Sequence, residues 1–217
     1  GAWVEANAHP ALCYSETSGV NTVVVESVDE LEPVLKSLAT TFSLFSAQMC
    51  TSPQNLYLPA DGVRHRGGRI GATEFGDALA QAMNAIAHDG KRAAPILAAI
   101  QSPGTVELID RLAQEGERRG RVLRPSTPYT HPEFARARTR TPLLVEVEAG
   151  ATDLYGEERF GPIGFVIRTA DRDAALATAT ADVARGGGLT AFLYSTDATY
   201  VERATAAYAT AGAQRTC

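Results

Sequence analysis

Short apolar or β-branched runs alternate along this chain with stretches whose apolar residues recur every three or four positions. That alternation, more than any other feature, narrows the folds open to it. The extended runs are Thr22-Val23-Val24-Val25, Leu56-Tyr57-Leu58, Arg121-Val122-Leu123, Leu143-Leu144-Val145-Glu146-Val147, Ile163 to Ile167 and Leu189 to Tyr194. Helical periodicity lies between and after them. A strand, a helix and a further strand in series call for a crossover connection, so the pattern predicts an α/β fold: a three-layer αβα domain around a mostly parallel sheet. No internal repeat is visible.

The helical stretches carry their own boundary signals. Ser27-Val28-Asp29-Glu30 reads as a capping box with Glu30 at the third helical position. The helix expected there places Leu31, Val34, Leu35, Leu38, Phe42 and Phe45 on one face, tolerates Pro33 in its first turns, and aims its last turn at Cys50. A second helix is expected from Thr73 to His88, with Phe75, Leu79, Ala82, Met83 and Ile86 inward and Asp89-Gly90 ending it. Pro95 to Ile100 is assigned to the helix that follows. Ser102-Pro103-Gly104 then breaks the chain before the stripe Val106, Leu108, Ile109 and Leu112. Pro125 to Thr141 reads as an irregular surface excursion. Asp171 to Arg185 and Thr199 to Ala211 are expected helices.

Composition bears on what such a domain can bind. The 217 residues are 45% hydrophobic and 21% charged, which suits one soluble domain. A net charge of -5 argues against nucleic acid or an anionic membrane as the main partner. No apolar run reaches the length of about eighteen residues that a membrane span needs, and the start lacks a signal-peptide pattern, so a cytoplasmic location is expected. Cys13, Cys50 and Cys217 form no Cys-x-x-Cys pair, and His9, His65, His88 and His131 show no ligand spacing. Neither a disulfide framework nor a metal site is expected.

Cys50 is the chief chemical candidate. In Ser46-Ala47-Gln48-Met49-Cys50-Thr51-Ser52-Pro53 it stands between a helical pattern and a turn that Pro53 enforces. A thiol in such a loop is either a nucleophile or an inert buried cysteine, and local sequence leaves both open. Tyr155-Gly156-Glu157-Glu158-Arg159-Phe160-Gly161-Pro162 sets two acids before an aromatic and a turn, and Ser15-Glu16-Thr17-Ser18-Gly19-Val20-Asn21 leads an acid into a small-residue turn. Each alone reads equally as a plain loop. The arginines 118, 119, 121, 124, 136, 138 and 140 make a basic stretch, either solvated or suited to a phosphorylated handle such as coenzyme A. Gly186-Gly187-Gly188 lies between helix and strand, the wrong order for a phosphate cradle.

Taken together, Glu16-Thr17-Ser18-Gly19-Val20, Ala47-Gln48-Met49-Cys50 and Glu157-Glu158-Arg159-Phe160-Gly161-Pro162 resemble, in order and spacing, three segments of the aldehyde dehydrogenase superfamily's catalytic domain. Family members carry Glu-Leu-Gly-Gly-Lys, Gly-Gln-x-Cys and Glu-Glu-x-Phe-Gly-Pro there. The stretches Ser18 to Val25 and Gln48 to Asn55 look like the PaaN branch, from bacterial phenylacetate degradation. The resemblance implies that Cys50 attacks an aldehyde to form a thiohemiacetal, which loses hydride to NAD or NADP and becomes a thioester that water hydrolyses to the acid. It implies Glu16 as general base, Glu158 as the acid that binds the nicotinamide ribose, Phe160 as the aromatic beside the nicotinamide, and the Cys50 backbone N–H as an oxyanion donor. It further implies a small-molecule aldehyde, free or CoA-linked, as substrate and a homo-oligomeric parent enzyme.

The departures are Ser18 for glycine, Val20 for lysine and Asn55 where many members have arginine. Measured against the family, residues 1–217 correspond to a partial catalytic domain without the cofactor-binding domain and the C-terminal oligomerisation segment, so the isolated chain is expected to be inactive. Two other readings stand beside the dehydrogenase: a cysteine-dependent acyl transferase or thioesterase, and a non-catalytic interaction domain of the same fold.

Overall fold

The computed structural model describes residues 2–8, 10, 18–212 and 214–216. Along the chain run α1 (Ala2–Asn7), β1 (Thr22–Val25), α2 (Leu31–Thr41), β2 (Asn55–Pro59), β3 (Val63–His65), β4 (Gly68–Ile70), α3 (Ala72–Ile86), α4 (Gly90–Ala93), α5 (Pro103–Arg119) and β5 (Arg121–Arg124). These are followed by β6 (Leu143–Glu148), α6 (Thr152–Tyr155), β7 (Ile163–Thr169), α7 (Arg172–Gly186), β8 (Thr190–Tyr194), α8 (Ala198–Ala211) and β9 (Gln214–Thr216). A short 3-10 turn spans Leu44–Ala47.

Seven strands form one sheet in the order β5-β6-β7-β2-β1-β8-β9, while β3 and β4 make a separate hairpin. Every pairing in the large sheet is parallel except that of β5 with β6. Parallel strands are covered on both faces, which is why β1 and β2 are buried at every position. Successive side chains divide between two cores. Val23, Val25, Leu56, Leu58, Leu144 and Val166 pack against α2 and α3 through Leu35, Leu38, Phe75, Leu79 and Met83. Val24, Tyr57, Val145, Phe165 and Ile167 pack against α5, α7 and α8 through Ile109, Leu112, Ala175, Ala179, Ala204 and Tyr208. The three-layer arrangement expected from the sequence is thus the one formed.

Polar caps fix several helix starts. The Ser102 hydroxyl accepts from Gly104 N–H with Pro103 in the first turn, Asp171 accepts from Ala174 N–H, and Asp197 accepts from Tyr200 N–H. Gly187, at φ 69°, closes α7 in the left-handed conformation that glycine adopts without strain.

Three local expectations are corrected. Ser27 does not cap α2, because its hydroxyl donates to Glu26 Oε2 at 2.5 Å, and α2 begins only at Leu31. The same helix ends at Thr41, so Phe42 caps it and Phe45 lies outside it, 51% exposed. Residues 95–100 are not helical, since α4 stops at Ala93. Their backbone groups are engaged instead by the turn before Cys50 and by Arg138, whose carbonyl accepts from Ile100 N–H at 2.7 Å. Asp89, expected only as a helix end, caps α4 by accepting from Lys91 and Arg92 N–H.

Candidate active site

The parallel register gathers the sequence motifs at one end of the sheet. Thr22 lies opposite both Asn55 and Ala191, and Asn55 lies opposite Phe165, so β7, β2, β1 and β8 start side by side. Asn21 precedes β1, the Cys50 loop precedes β2, the Glu158 to Phe160 loop precedes β7 and Leu189 precedes β8. Segments far apart in sequence therefore meet at the amino ends of four neighbouring strands.

Cys50 is a free, half-buried cysteine. The three residues Phe45, Ser46 and Ala47 all have positive φ, at 52°, 54° and 49°, and none is glycine. A left-handed run of L-residues costs about 1–2 kcal/mol per residue and persists only where its surroundings enforce it. Here the 96–101 segment does so. Phe45 N–H donates to Ile96 O at 2.8 Å, Ser46 Oγ donates to Ala98 O at 2.9 Å, and Gln48 Nε2 donates to Ala99 O at 3.0 Å. Gln48 Oε1 in turn accepts from Gln101 N–H at 2.9 Å.

Ala47 stands where the resembling motif has glycine, which would hold its φ without strain. Ala47→Gly is accordingly expected to raise the melting temperature by roughly 2 °C and Ala47→Val to lower it by about 4–8 °C, read by thermal unfolding. Equal melting temperatures for all three would show that the turn is not strained.

Two buried carboxamides tie the loops to the sheet and to each other. Asn21, 1% exposed, donates from Nδ2 to Cys50 O at 2.7 Å and Ser52 O at 3.0 Å, while its Oδ1 accepts from Leu189 and Thr190 N–H at 2.9 Å each. Gln54, 6% exposed, donates from Nε2 to Tyr155 O at 2.9 Å and Glu157 O at 3.1 Å, and its Oε1 accepts from Arg159 N–H at 2.5 Å. The Asn21 carbonyl accepts from Gln54 N–H at 3.1 Å.

A polar chain continues inward. Gln54 Nε2 donates to Asn55 Oδ1 at 3.0 Å, Asn55 Nδ2 to the Tyr57 hydroxyl at 3.0 Å, and that hydroxyl to Asp182 Oδ2 at 2.5 Å. Arg185 pairs with the same carboxylate. Burial first, and then the Asp182 charge, push the Tyr57 phenol well above its ordinary value, so it remains a donor.

Gly19, Ala47, Met49, Ser52, Gln54, Glu158, Phe160 and Gly161 line a crevice between the Cys50 loop and the β7 approach. Glu158 and Phe160 thus share a crevice with the neighbours of Cys50. Phe160 is 43% exposed. Glu158 also borders a polar cavity of about 760 Å³ beside Ser18, Asp153, Glu157 and Arg185. Glu16, Cys13 and Cys217 lie outside the described residues.

The basic stretch is mostly engaged internally. Arg119 pairs with Asp153, Arg121 with Asp77 and Glu146, Arg118 with Glu115 and Arg140 with Asp110, while Arg138 donates to Ile100 O and Gln101 O. Arg124 is 5% exposed and donates to Thr141 Oγ1 at 2.9 Å, and burial lowers its guanidinium to about 10. Arg136 is exposed. Among the described residues no group of three or more His, Cys, Asp or Glu side chains is placed to hold a metal ion, and no helix is long and apolar enough to cross a membrane.

The opposite, carboxyl ends of the same strands hold an ionic knot. Glu26, just after β1 and 3% exposed, pairs with Arg64 and with Arg172 at 3.1 Å, and accepts from Ser27 Oγ and, at 2.9 Å, from Ser195 Oγ. Arg172 also reaches Asp197 at 2.9 Å. In open α/β sheets ligands usually sit beyond the carboxyl ends; here Glu26, Arg64 and Arg172 pair with one another along the wall of a polar cleft of about 300 Å³.

Asn21 and Gln54 lie inside the motif-bearing stretches, where nothing local gives either a part. The available signal was an amide at the first buried step of a strand, where neither side chain could reach water. Its partners are nonlocal, and the sequence does not display them.

Comparison with known proteins gives a consistent picture. The profile of the aldehyde dehydrogenase family matches residues 4–214. The crystal structure of an NAD-dependent aldehyde dehydrogenase from Burkholderia multivorans superposes with a TM-score of 0.93 at 37% identity, covering 99% of this chain and 38% of that one. A gamma-glutamyl-gamma-aminobutyraldehyde dehydrogenase from Burkholderia cenocepacia matches at TM-score 0.69 and 20% identity over 92% of this chain and 37% of that one. Proline utilization A from Bdellovibrio bacteriovorus matches at TM-score 0.66 and 19% identity over 89% of this chain and 18% of that one. The last two show likeness of fold alone. No curated protein sequence matches the chain. The chain spans well under half the length of each of these solved relatives.

Proposed function

Because the chain belongs to the aldehyde dehydrogenase family, we propose that it carries the nucleophile and part of the cofactor site of an NAD(P)-dependent aldehyde dehydrogenase. The observation that carries this reading is the meeting of the half-buried Cys50 loop with Glu158 and the partly exposed Phe160 at the amino ends of β1, β2 and β7. A carboxylate and a partly exposed aromatic ring side by side fit a nicotinamide riboside: the carboxylate accepts from the ribose hydroxyls and the ring packs on the nicotinamide.

In this mechanism the Cys50 thiolate adds to the aldehyde carbon, a C–S bond forms, and the carbonyl oxygen takes the negative charge. Donors around the Cys50 backbone stabilise that oxyanion. Bound NAD(P) supplies the hydride acceptor. Loss of hydride from the Cys50 adduct leaves an acyl thioester, and Glu16 draws a proton from the water that cleaves it, releasing the acid and the thiol. Glu158 and Phe160 hold the cofactor in register with Cys50.

The substrate proposed is an aldehyde formed in phenylacetate degradation, from the likeness of Ser18 to Val25 and Gln48 to Asn55 to the PaaN branch. A coenzyme A link and a homo-oligomeric assembly rest on that likeness alone. With Arg118, Arg119, Arg121, Arg138 and Arg140 held by internal partners, Arg136 is the exposed arginine left to test for phosphate binding.

The test is iodoacetamide labelling of the native protein, read by peptide mass spectrometry. Cys50 is expected to label at least about tenfold faster than Cys13 and Cys217, and Glu16→Gln to remove most of that preference. Labelling no faster than at the other two thiols would sink the reading.

A further inference from the structure

We propose that Asn21 and Gln54 are a pair of positioning residues, Asn21 setting the Cys50 nucleophile and Gln54 setting Glu158, so that two buried carboxamides fix the distance between nucleophile and cofactor acid. The inference deepens the function proposed above and rests on the roles given there to Cys50 and Glu158.

The bonding pattern is specific to carboxamides. Asn21 makes two donations and two acceptances from a side chain that is 1% exposed. Only the carboxamides of Asn and Gln offer two donor hydrogens and a two-lone-pair acceptor oxygen on one group: an aspartate would face the Cys50 and Ser52 carbonyls with no hydrogen to give, and an apolar side chain would strand four backbone groups. The Cys50 carbonyl is held directly, which fixes the peptide plane after the thiol. The left-handed run through Ala47 fixes the chain before it.

Gln54 acts on the other loop. It holds Glu157 O and Arg159 N–H, the backbone groups on either side of Glu158, and so pins both flanking peptides. Its own orientation is locked by the chain through Asn55 and Tyr57 to buried Asp182. The backbone bond from Gln54 N–H to Asn21 O joins the two clamps into one unit. A purely packing role requires none of this: neither side chain needs donors and acceptors to fill space, and among the groups they bind are the Cys50 carbonyl itself and the backbone groups on either side of Glu158.

Amide hydrogen exchange of the native chain with Asn21→Asp and Gln54→Glu tests the proposal. Each change keeps size and acceptor and deletes the donor. Asn21→Asp is expected to speed exchange about tenfold at Met49 to Ser52 and leave Glu157 to Gly161 at the wild-type rate; Gln54→Glu is expected to do the reverse.

In the full-length protein, Gln54→Glu is expected to raise KM for NAD(P) about tenfold with kcat within about threefold. Asn21→Asp is expected to lower kcat about tenfold with that KM unchanged. If an acid variant does not fold, Asn21→Ala or Gln54→Met, which also lack the donor, carries the same expectation. Unchanged exchange, or a uniform rise across both loops and the sheet, would overturn the positioning roles. Turnover that survives Cys50→Ala or Glu158→Ala would instead overturn the roles of those two residues, and the exchange pattern would still decide whether Asn21 and Gln54 hold the loops.

Discussion

Replacing Cys50 by alanine is expected to reduce aldehyde oxidation by the full-length protein roughly 10⁴-fold or more while leaving its fold intact. The size of the loss follows from the role. Without the sulfur there is no covalent adduct from which hydride can leave and no thioester to hydrolyse, and deleting a nucleophile of this kind removes most of the rate rather than a fraction of it. The small structural effect follows from the site: Cys50 is half-buried, and the loop is held by the Asn21 side chain donating to the Cys50 and Ser52 carbonyls, which alanine retains. The check is the appearance of reduced nicotinamide together with a melting temperature within about 3 °C of wild type. Turnover within about tenfold of wild type would move the nucleophile elsewhere. Thioester turnover that proceeds with no nicotinamide present and vanishes in the variant would instead make the chain a cysteine acyl-transfer enzyme.

The second large effect is on stability, at the far end of the sheet. Burial alone would raise the Glu26 carboxyl above its ordinary value of 4.5, but hydrogen bonds from Ser27, Arg64, Ser195 and Arg172 outweigh it and hold the carboxyl below that value. Glu26→Ala removes the common acceptor of these groups and is expected to cost about 3 kcal/mol, a fall in melting temperature of roughly 6–12 °C. Both arginines keep partial access to water, at 48% and 43% exposure, which places the cost at the lower end for a buried pair.

The sign of the pH dependence is fixed by the direction of the shift. A carboxyl depressed in the folded state stabilises fully above its unfolded value and loses that contribution as pH falls through the folded one. The stability gap between wild type and Glu26→Gln should therefore be widest at neutral pH and close progressively below about pH 4.5. Urea unfolding of both proteins across that range measures it, and a gap that does not change with pH would exclude the ionic contribution.

Much of the fold was legible because its signals are local. The β-branched run Thr22 to Val25 and the apolar run Leu143 to Val147 read as strands and are strands, and the alanine-rich stretches after Asp171 and Asp197 are the helices α7 and α8. What failed depended on distant partners. Ser27 carries the pattern of a cap, but Glu26 and Thr196 take its hydroxyl. Residues 95–100 have the composition of a helix, but the turn through Phe45 and Ser46 takes their carbonyls. That turn itself left no trace in the sequence, because positive φ is ordinarily announced by glycine and here falls on Phe45, Ser46 and Ala47.

The site divides in the same way. Cys50, Glu158 and Phe160 stood out through motif resemblance, and the fold brings the latter two to the crevice beside Cys50. Asn21 and Gln54 did not, since an amide's importance lies in which carbonyls it meets across the sheet. The strand order β7-β2-β1-β8, which makes those meetings possible, is not written in any single segment.

That strand order also sets a timetable for the ribosome. Cys50 is translated before the groups that hold Gln54, at Tyr155 to Arg159, and before those that orient Asn21, at Leu189 and Thr190. Until those residues follow, the thiol belongs to an unclamped loop, and its final geometry arrives only once β8 has been translated and has paired beside β1. The nascent chain thus bears this cysteine before the residues that clamp its loop have been made.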